Sequence, residues 1–155
     1  MEDDENFEAE SKEVEQDNVA LRAEMLRFNV ITDTEDRYAL ASLLVTRKVV
    51  VPVYGGQEDP EEWPTFATLY KREKEVELHV FTSVLNIPET CDAPGVVYYP
   101  LADLVGDAQK HGVTLLLIDP KTPHGVGFVL TENGRPHLFR LAWIEDNMDD
   151  LLREP

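Results

Sequence analysis

The stretch from residue 76 to residue 118 constrains the fold of this chain more than any other. Residues 76–82 alternate, with Val76, Leu78, Val80 and Thr82 on one side and Glu77, His79 and Phe81 on the other, as in a strand with one well-buried face. Residues 101–111 put Leu101, Leu104, Val105 and Ala108 on one helical stripe and lead into Gly112, a natural left-handed cap. Residues 113–118 then form an apolar run that Asp119-Pro120 stops. Strand, helix and buried strand in this order predict a right-handed βαβ crossover, the connection that joins parallel neighbours in a sheet.

The flanking segments fit around that unit. Val19, Leu21, Met25, Leu26 and Phe28 suit an amphipathic helix over residues 18–29, capped by Asp17 or Asn18. A second helix follows Thr32-Asp33-Thr34-Glu35 and runs to about Thr46, with Tyr38, Leu40, Ala41, Leu43 and Leu44 at helical spacing. Residues 48–54 are β-branched and short, which favours a strand, and Pro52 places it at an edge or a strand end. Gly55-Gly56 and Asp59-Pro60-Glu61-Glu62 mark a loop. Residues 66–71 and 76–82 predict a hairpin around the charged turn 72–75, and residues 127–131 and 137–143 a second one through Asn133-Gly134. The fold class is therefore α+β: a mixed sheet of about five to six strands, with two N-terminal helices and one βαβ crossover helix packed mainly on one face.

Charge divides the chain further. The formal net charge is -17. Residues 1–17 carry nine acids against Lys12, and residues 145–155 carry five against Arg153, leaving -5 for residues 18–144. Like charges and few large apolar side chains read residues 1–17 as an acidic mobile arm, residues 18–144 as one folded domain and residues 145–155 as an acidic tail. Such a balance repels phosphate backbones and anionic lipid, so neither nucleic acid nor membrane is an expected partner, whereas a protein with a basic surface is. Cys91 is the single cysteine, so no intrachain disulfide forms. The opening Met-Glu-Asp-Asp-Glu does not resemble a secretory signal, which gives the cytoplasm as the expected location.

No catalytic, cofactor or metal constellation stands out. His79, His111, His124 and His137 fall singly in different elements, each read as a surface or half-buried side chain and not as a ligand. Cys91 lies in a loop between Pro88 and Pro94, with no base that spacing can assign to it. Gly125-Val126-Gly127 lacks the lysine and the helix of a phosphate loop. The rival enzyme reading rests on Cys91 or a histidine in a cleft. What remains is surface: Trp63 and Phe66 beside Glu58, Asp59, Glu61 and Glu62 form the candidate partner-binding patch, an aromatic anchor among carboxylates. The bland alternative is that Trp63 plugs the core.

Three segments carry a family resemblance: Leu78-His79-Val80-Phe81-Thr82-Ser83, the helix opening Pro100-Leu101-Ala102-Asp103-Leu104, and residues 112–120 ending in Asp119-Pro120. Together with the helix that leads into residues 49–53, they resemble the N-terminal domain of the SseB family of bacterial proteins over residues 18–130. Asp119 stands where that family usually has Asn before Pro, and either side chain can form the local turn. By its length the chain is expected to lack the second domain of full-length members; the resemblance implies a non-enzymatic regulatory role named for an effect on serine sensitivity, and no catalytic residues to transfer. The expected function is thus a non-catalytic, acidic protein-binding or regulatory module acting in the bacterial cytoplasm. Two alternatives fit the charge: an immunity protein that covers the active cleft of a basic toxin such as a nuclease, and a secretion chaperone.

Overall fold

The computed structural model describes residues 2–30, 34–55, 65–71, 75–130 and 136–140. The elements in chain order are α1 (Glu2–Val30), α2 (Thr34–Leu44), β1 (Lys48–Gly55), β2 (Thr65–Phe66), β3 (Leu69–Lys71), β4 (Val76–Val80), a 3-10 turn (Val84–Asn86), β5 (Gly95–Pro100), α3 (Leu101–Lys110), β6 (Leu115–Ile118), β7 (Val126–Val129) and β8 (His137–Arg140).

The α+β class holds, but the single sheet does not. The described strands form two sheets, one of three strands in the order β2-β1-β5 and one of five in the order β3-β4-β6-β7-β8. The small sheet is antiparallel throughout. In the large one β4 and β6 run parallel, as the crossover required, while every other pair is antiparallel. A bridge between Val50 and Phe81, with Val50 N donating to Phe81 O at 2.7 Å and Phe81 N to Val50 O at 3.0 Å, stitches the sheets together. The expected strand over residues 66–71 is two strands: Phe66 pairs with Val53 of β1, and only Leu69–Lys71 pairs with β4. A strand was also missed. β5 lies on β1 from Lys48↔Pro100 to Val53↔Gly95, so the crossover from β4 to β6 passes through β5 before it reaches α3.

One main core fills the side of the large sheet that faces the helices. Leu78, Val80, Leu116, Ile118, Val126, Phe128 and Leu138 point into it and meet Leu21, Met25 and Phe28 of α1, Leu40 and Leu44 of α2, and Leu101, Leu104, Val105 and Ala108 of α3. Leu115 and Leu117 point the other way, into a small cluster with Val129 and Phe139. Alternation along β6 thus feeds two apolar faces, which is why residues 115–118 read as an unbroken run. α3 ends as its sequence predicts, with Gly112 at φ 78, the left-handed conformation that glycine adopts without a Cβ clash.

α1 differs from expectation at its start. Residues 1–17 were expected as a mobile arm, yet the helix begins at Glu2 and makes contacts with the rest of the fold from Glu10 onward. Val14 is buried, the Tyr98 hydroxyl donates to Ser11 Oγ at 2.7 Å, and Lys48 Nζ lies 3.2 Å from Glu10 Oε1. Acids crowded toward a helix N-terminus complement the macrodipole, which offsets part of their mutual repulsion. Among the described residues no helix is long and apolar enough to cross a membrane.

Candidate functional site at the ends of the parallel strands

β4 and β6 both end at a polar cluster built on Asp119. The chain leaves β6 with Asp119 N donating to Val80 O at 2.9 Å, then turns at Asp119 itself, which holds φ at 51. A short polar side chain that bonds locally tolerates this left-handed conformation better than most. Thr122 N and Thr122 Oγ1 both donate to Asp119 O, at 3.1 and 2.8 Å, which folds the chain back and brings His124 over the carboxylate.

That carboxylate is buried at 1% exposure and accepts three hydrogen bonds. Thr82 N donates to Oδ1 at 2.9 Å, Thr82 Oγ1 donates to Oδ2 at 2.5 Å, and His124 Nε2 lies 2.7 Å from the same Oδ2. With the carboxylate ionised, Nε2 is the protonated ring nitrogen, since two acceptors would repel. Charge-assisted bonds of this kind are what compensate the desolvation of a buried carboxylate.

Thr82 carries the cluster to α1. Its carbonyl accepts Asn18 Nδ2 at 2.9 Å and Arg22 Nη1 at 3.4 Å, and Asn18 Nδ2 also donates to Lys48 O at 3.0 Å. Asn18 is fully buried at an inward position of α1, in register with Val14, Leu21, Met25 and Phe28. It serves as a strut between α1, β1 and the end of β4, where the sequence suggested only a helix cap. A polar residue inside an otherwise apolar stripe was the signal that could have revealed it.

The next residues are pinned as well. Ser83 Oγ accepts Leu85 N at 3.1 Å, Asn86 N donates to Ser83 O at 3.1 Å, and Asn86 Nδ2 reaches Thr82 Oγ1 at 3.4 Å. Thr82-Ser83 and Asp119-Pro120 are thus two halves of one device.

Chemically the cluster is a lock. A nucleophilic triad needs its hydroxyl bonded to histidine and the histidine bonded to the acid. Here the Thr82 hydroxyl and His124 both bond to the same carboxylate oxygen, and Thr82 is fully buried.

The other singled-out residues lie apart from this lock. Phe66 is 5% exposed and packs in the main core opposite Val53, so it does not present an aromatic face to a partner; this corrects its assignment to the binding patch. Glu58, Asp59, Glu61, Glu62 and Trp63 lie outside the described residues. Cys91 is half-buried. Next to it the Tyr54 hydroxyl donates to Asp92 Oδ1 at 3.0 Å, and this bond, followed by the charge of Asp92, raises the phenol above its ordinary value. His79 is half-buried, with Nε2 3.3 Å from Glu77 Oε2 but not aligned for a hydrogen bond. His111 and His137 are exposed. Among the described residues no group of three or more His, Cys, Asp or Glu is placed to hold a metal ion.

Fold and site together define a two-sheet α+β domain whose parallel strands close on an interlocked Thr-Asp-His cluster. The family model for the SseB protein N-terminal domain matches residues 21–132, a span that contains both halves of the lock. The chain belongs to the SseB family. No match was found among curated proteins or among solved structures.

Proposed function

We propose that this chain is a non-catalytic protein-binding or regulatory module of the SseB type, acting in the bacterial cytoplasm on a partner with a basic surface. One observation carries the reading: α1 holds ten acids against three bases on a single 29-residue helix. Ten carboxylates carried on one helix attract a cationic partner at long range, and raise the rate of encounter more than they raise affinity. The engagement of the Thr82 hydroxyl with Asp119 supports a structural use of the cluster. Trp63 with Glu58, Asp59, Glu61 and Glu62 is a second acidic element that the partner would meet.

The test is a pull-down from the native lysate with the intact chain, washed at low and at high salt, alongside Trp63→Ala. A basic protein retained at low salt and released at high salt is the expected result, because the screening length shrinks from about 10 Å at 0.1 M to about 3 Å at 1 M ionic strength. Retention of nothing, or of an acidic protein indifferent to salt, would sink the reading. Unchanged retention by Trp63→Ala removes the loop patch alone.

A further inference from the structure

β5 ends its sheet without the usual protection. Among the described residues it pairs with β1 alone. The register fixes which way its backbone points: Leu101 N donates to Arg47 O, and Val50 exchanges its bonds with Phe81 on the far side of β1. Positions 95, 97 and 99 therefore bond to β1, while 96 and 98 aim their N–H and C=O at the open edge. Val96 has no partner there among the described residues. Exposed edges are ordinarily blunted by lysine, by an internal proline or by a bulge. Residues 95–100 read Gly-Val-Val-Tyr-Tyr-Pro, in unbroken register, with no charge and with proline only at the end. Such an edge is a template for another strand.

A groove of about 600 Å³ lies between the end of β5 and the outer flank of α3. Tyr98 and Tyr99 leave opposite faces of the strand, Tyr98 toward Ser11 of α1 and Tyr99 toward Asp107 of α3, yet both line this groove. An opening that touches both lies at the strand's edge, and β1 occupies the other edge. On the α3 side the lining includes Asp103, Gly106 and Lys110. A Cβ placed on Gly106 would meet nothing within 4 Å, so packing does not call for a glycine that costs the helix stability. Its absence of a side chain leaves room for another backbone to come close.

Charge selects what fills the groove. Asp107 is engaged by the Tyr99 hydroxyl. The Asp103 carboxylate has no hydrogen bond or ion pair among the described residues, and neither has the Lys110 ammonium, two turns along the helix at about 10 Å. The same strand of a second copy would bring no basic residue to Asp103, and would join two chains of net charge -17. We propose that the groove between β5 and α3 takes an extended segment of a partner protein, added to the sheet edge at Val96, with a Lys or Arg set against Asp103 and an acidic side chain against Lys110. This deepens the protein-binding reading and rests on it. Backbone bonds along the edge supply affinity, and the charges at the two ends of α3 choose the segment and its direction.

The experiment places a photo-crosslinking residue at position 96 or 102 of the full chain in its native cells, with positions 63 and 70 as comparisons, and maps the partner peptide joined to each. The expected peptide from positions 96 and 102 carries a Lys or Arg and an acid. A synthetic copy of it is then titrated onto the intact chain, onto Gly106→Leu, which fills the groove, and onto Asp103→Lys. Each variant should bind more weakly by roughly tenfold or more. Gly106→Leu should keep or raise the melting temperature, because leucine is the better helix former. In the intact chain, binding should slow hydrogen exchange at the Val96 amide, read by nuclear magnetic resonance. Several outcomes overturn the assignment: a peptide from a second copy of this chain, a peptide without Lys or Arg, a Val96 amide that exchanges as fast bound as free, or full affinity in Gly106→Leu. A partner that crosslinks from position 63 or 70 alone, or is retained by the intact chain yet crosslinks from none, also overturns it while leaving the binding function intact. No crosslink from any position, with nothing retained by the intact chain, defeats both.

Discussion

The parallel pair β4 and β6 is closed at both ends by side chains, and the two ends are closed differently. At the start, Thr114 N donates to Val76 O at 2.8 Å, and the Thr114 hydroxyl exchanges 3.1 Å bonds with the same residue's N–H and carbonyl. One half-buried hydroxyl finishes the ladder there. At the other end a buried carboxylate holds a backbone amide, a hydroxyl and an imidazole. Strand pairing alone does not require that, as Thr114 demonstrates. The Asp119 end joins more: through Thr82 it fixes α1 by way of Asn18, and it braces the turn that displays Leu85. The comparison teaches that the acid organises a surface, and that strand registration is only part of its work.

Mutation of both ends can break that comparison. Asp119→Ala leaves Thr82 N and Thr82 Oγ1 buried without their acceptor, and should cost about 3 kcal/mol. For a chain of this length that is a fall of roughly 6–12 °C in melting temperature. Thr114→Val removes one hydroxyl at a half-buried position and should cost about 1 kcal/mol. Urea unfolding of both variants gives the ratio directly. Equal costs would mean that the two ends are equivalent fasteners.

The same contrast separates what the sequence makes legible from what it does not. Period and punctuation predict β4, α3, Gly112 and β6, because each depends on neighbours within a few positions of the chain. The lock depends on partners 37 and 64 positions apart, and no local pattern encodes such pairings. β5 is instructive in another way. Val96, Val97, Tyr98 and Tyr99 are good strand residues, but Pro94, Gly95 and Pro100 crowd them, and their pairing with β1 is nonlocal. The division of residues 65–71 between two sheets was hidden for the same reason, since Phe66 and Leu69 look alike until their partners are known. The early start of α1 was obscured by charge: repulsion among the acids is visible in the sequence, whereas the docking of Val14 and Ser11 is not. The two halves of the lock, Thr82-Ser83 and Asp119-Pro120, were legible as family motifs, but their mutual contact was not.

A gentler substitution sharpens the comparison. In Asp119→Asn the amide oxygen can accept Thr82 N, while the amide nitrogen can donate to Thr82 Oγ1 and to His124 Nε2 if the imidazole switches tautomer. Asn also tolerates the left-handed backbone at this position. The substitution should cost about 1 kcal/mol or less at neutral pH. Urea unfolding of the variant beside Asp119→Ala measures how much of the lock the amide restores. A cost equal to that of Asp119→Ala would show that the amide restores none of it.

The smallest effect comes from the same chemistry placed in water. The Tyr54 hydroxyl donates to Asp92 just as the Thr82 hydroxyl donates to Asp119, but Tyr54 is 52% exposed and its surroundings are solvent. If burial is what makes the Asp119 bonds matter, Tyr54→Phe should leave the melting temperature unchanged while Asp119→Ala lowers it. The Tyr54–Asp92 contact still has a signature. The bond to Asp92 and then its charge raise the phenol in the folded chain, so the protonated hydroxyl is the favoured form. Any stabilisation from this contact is complete below the phenol's ordinary titration and disappears as pH climbs through the raised value, a window confined to the alkaline range. Asp92→Asn should therefore bring the Tyr54 titration back down, read by its ultraviolet absorbance difference against Tyr54→Phe, with no change in stability at neutral pH. A destabilisation comparable to that of Asp119→Ala would mean that exposure does not distinguish the two contacts, and that the contrast between buried lock and exposed pair fails.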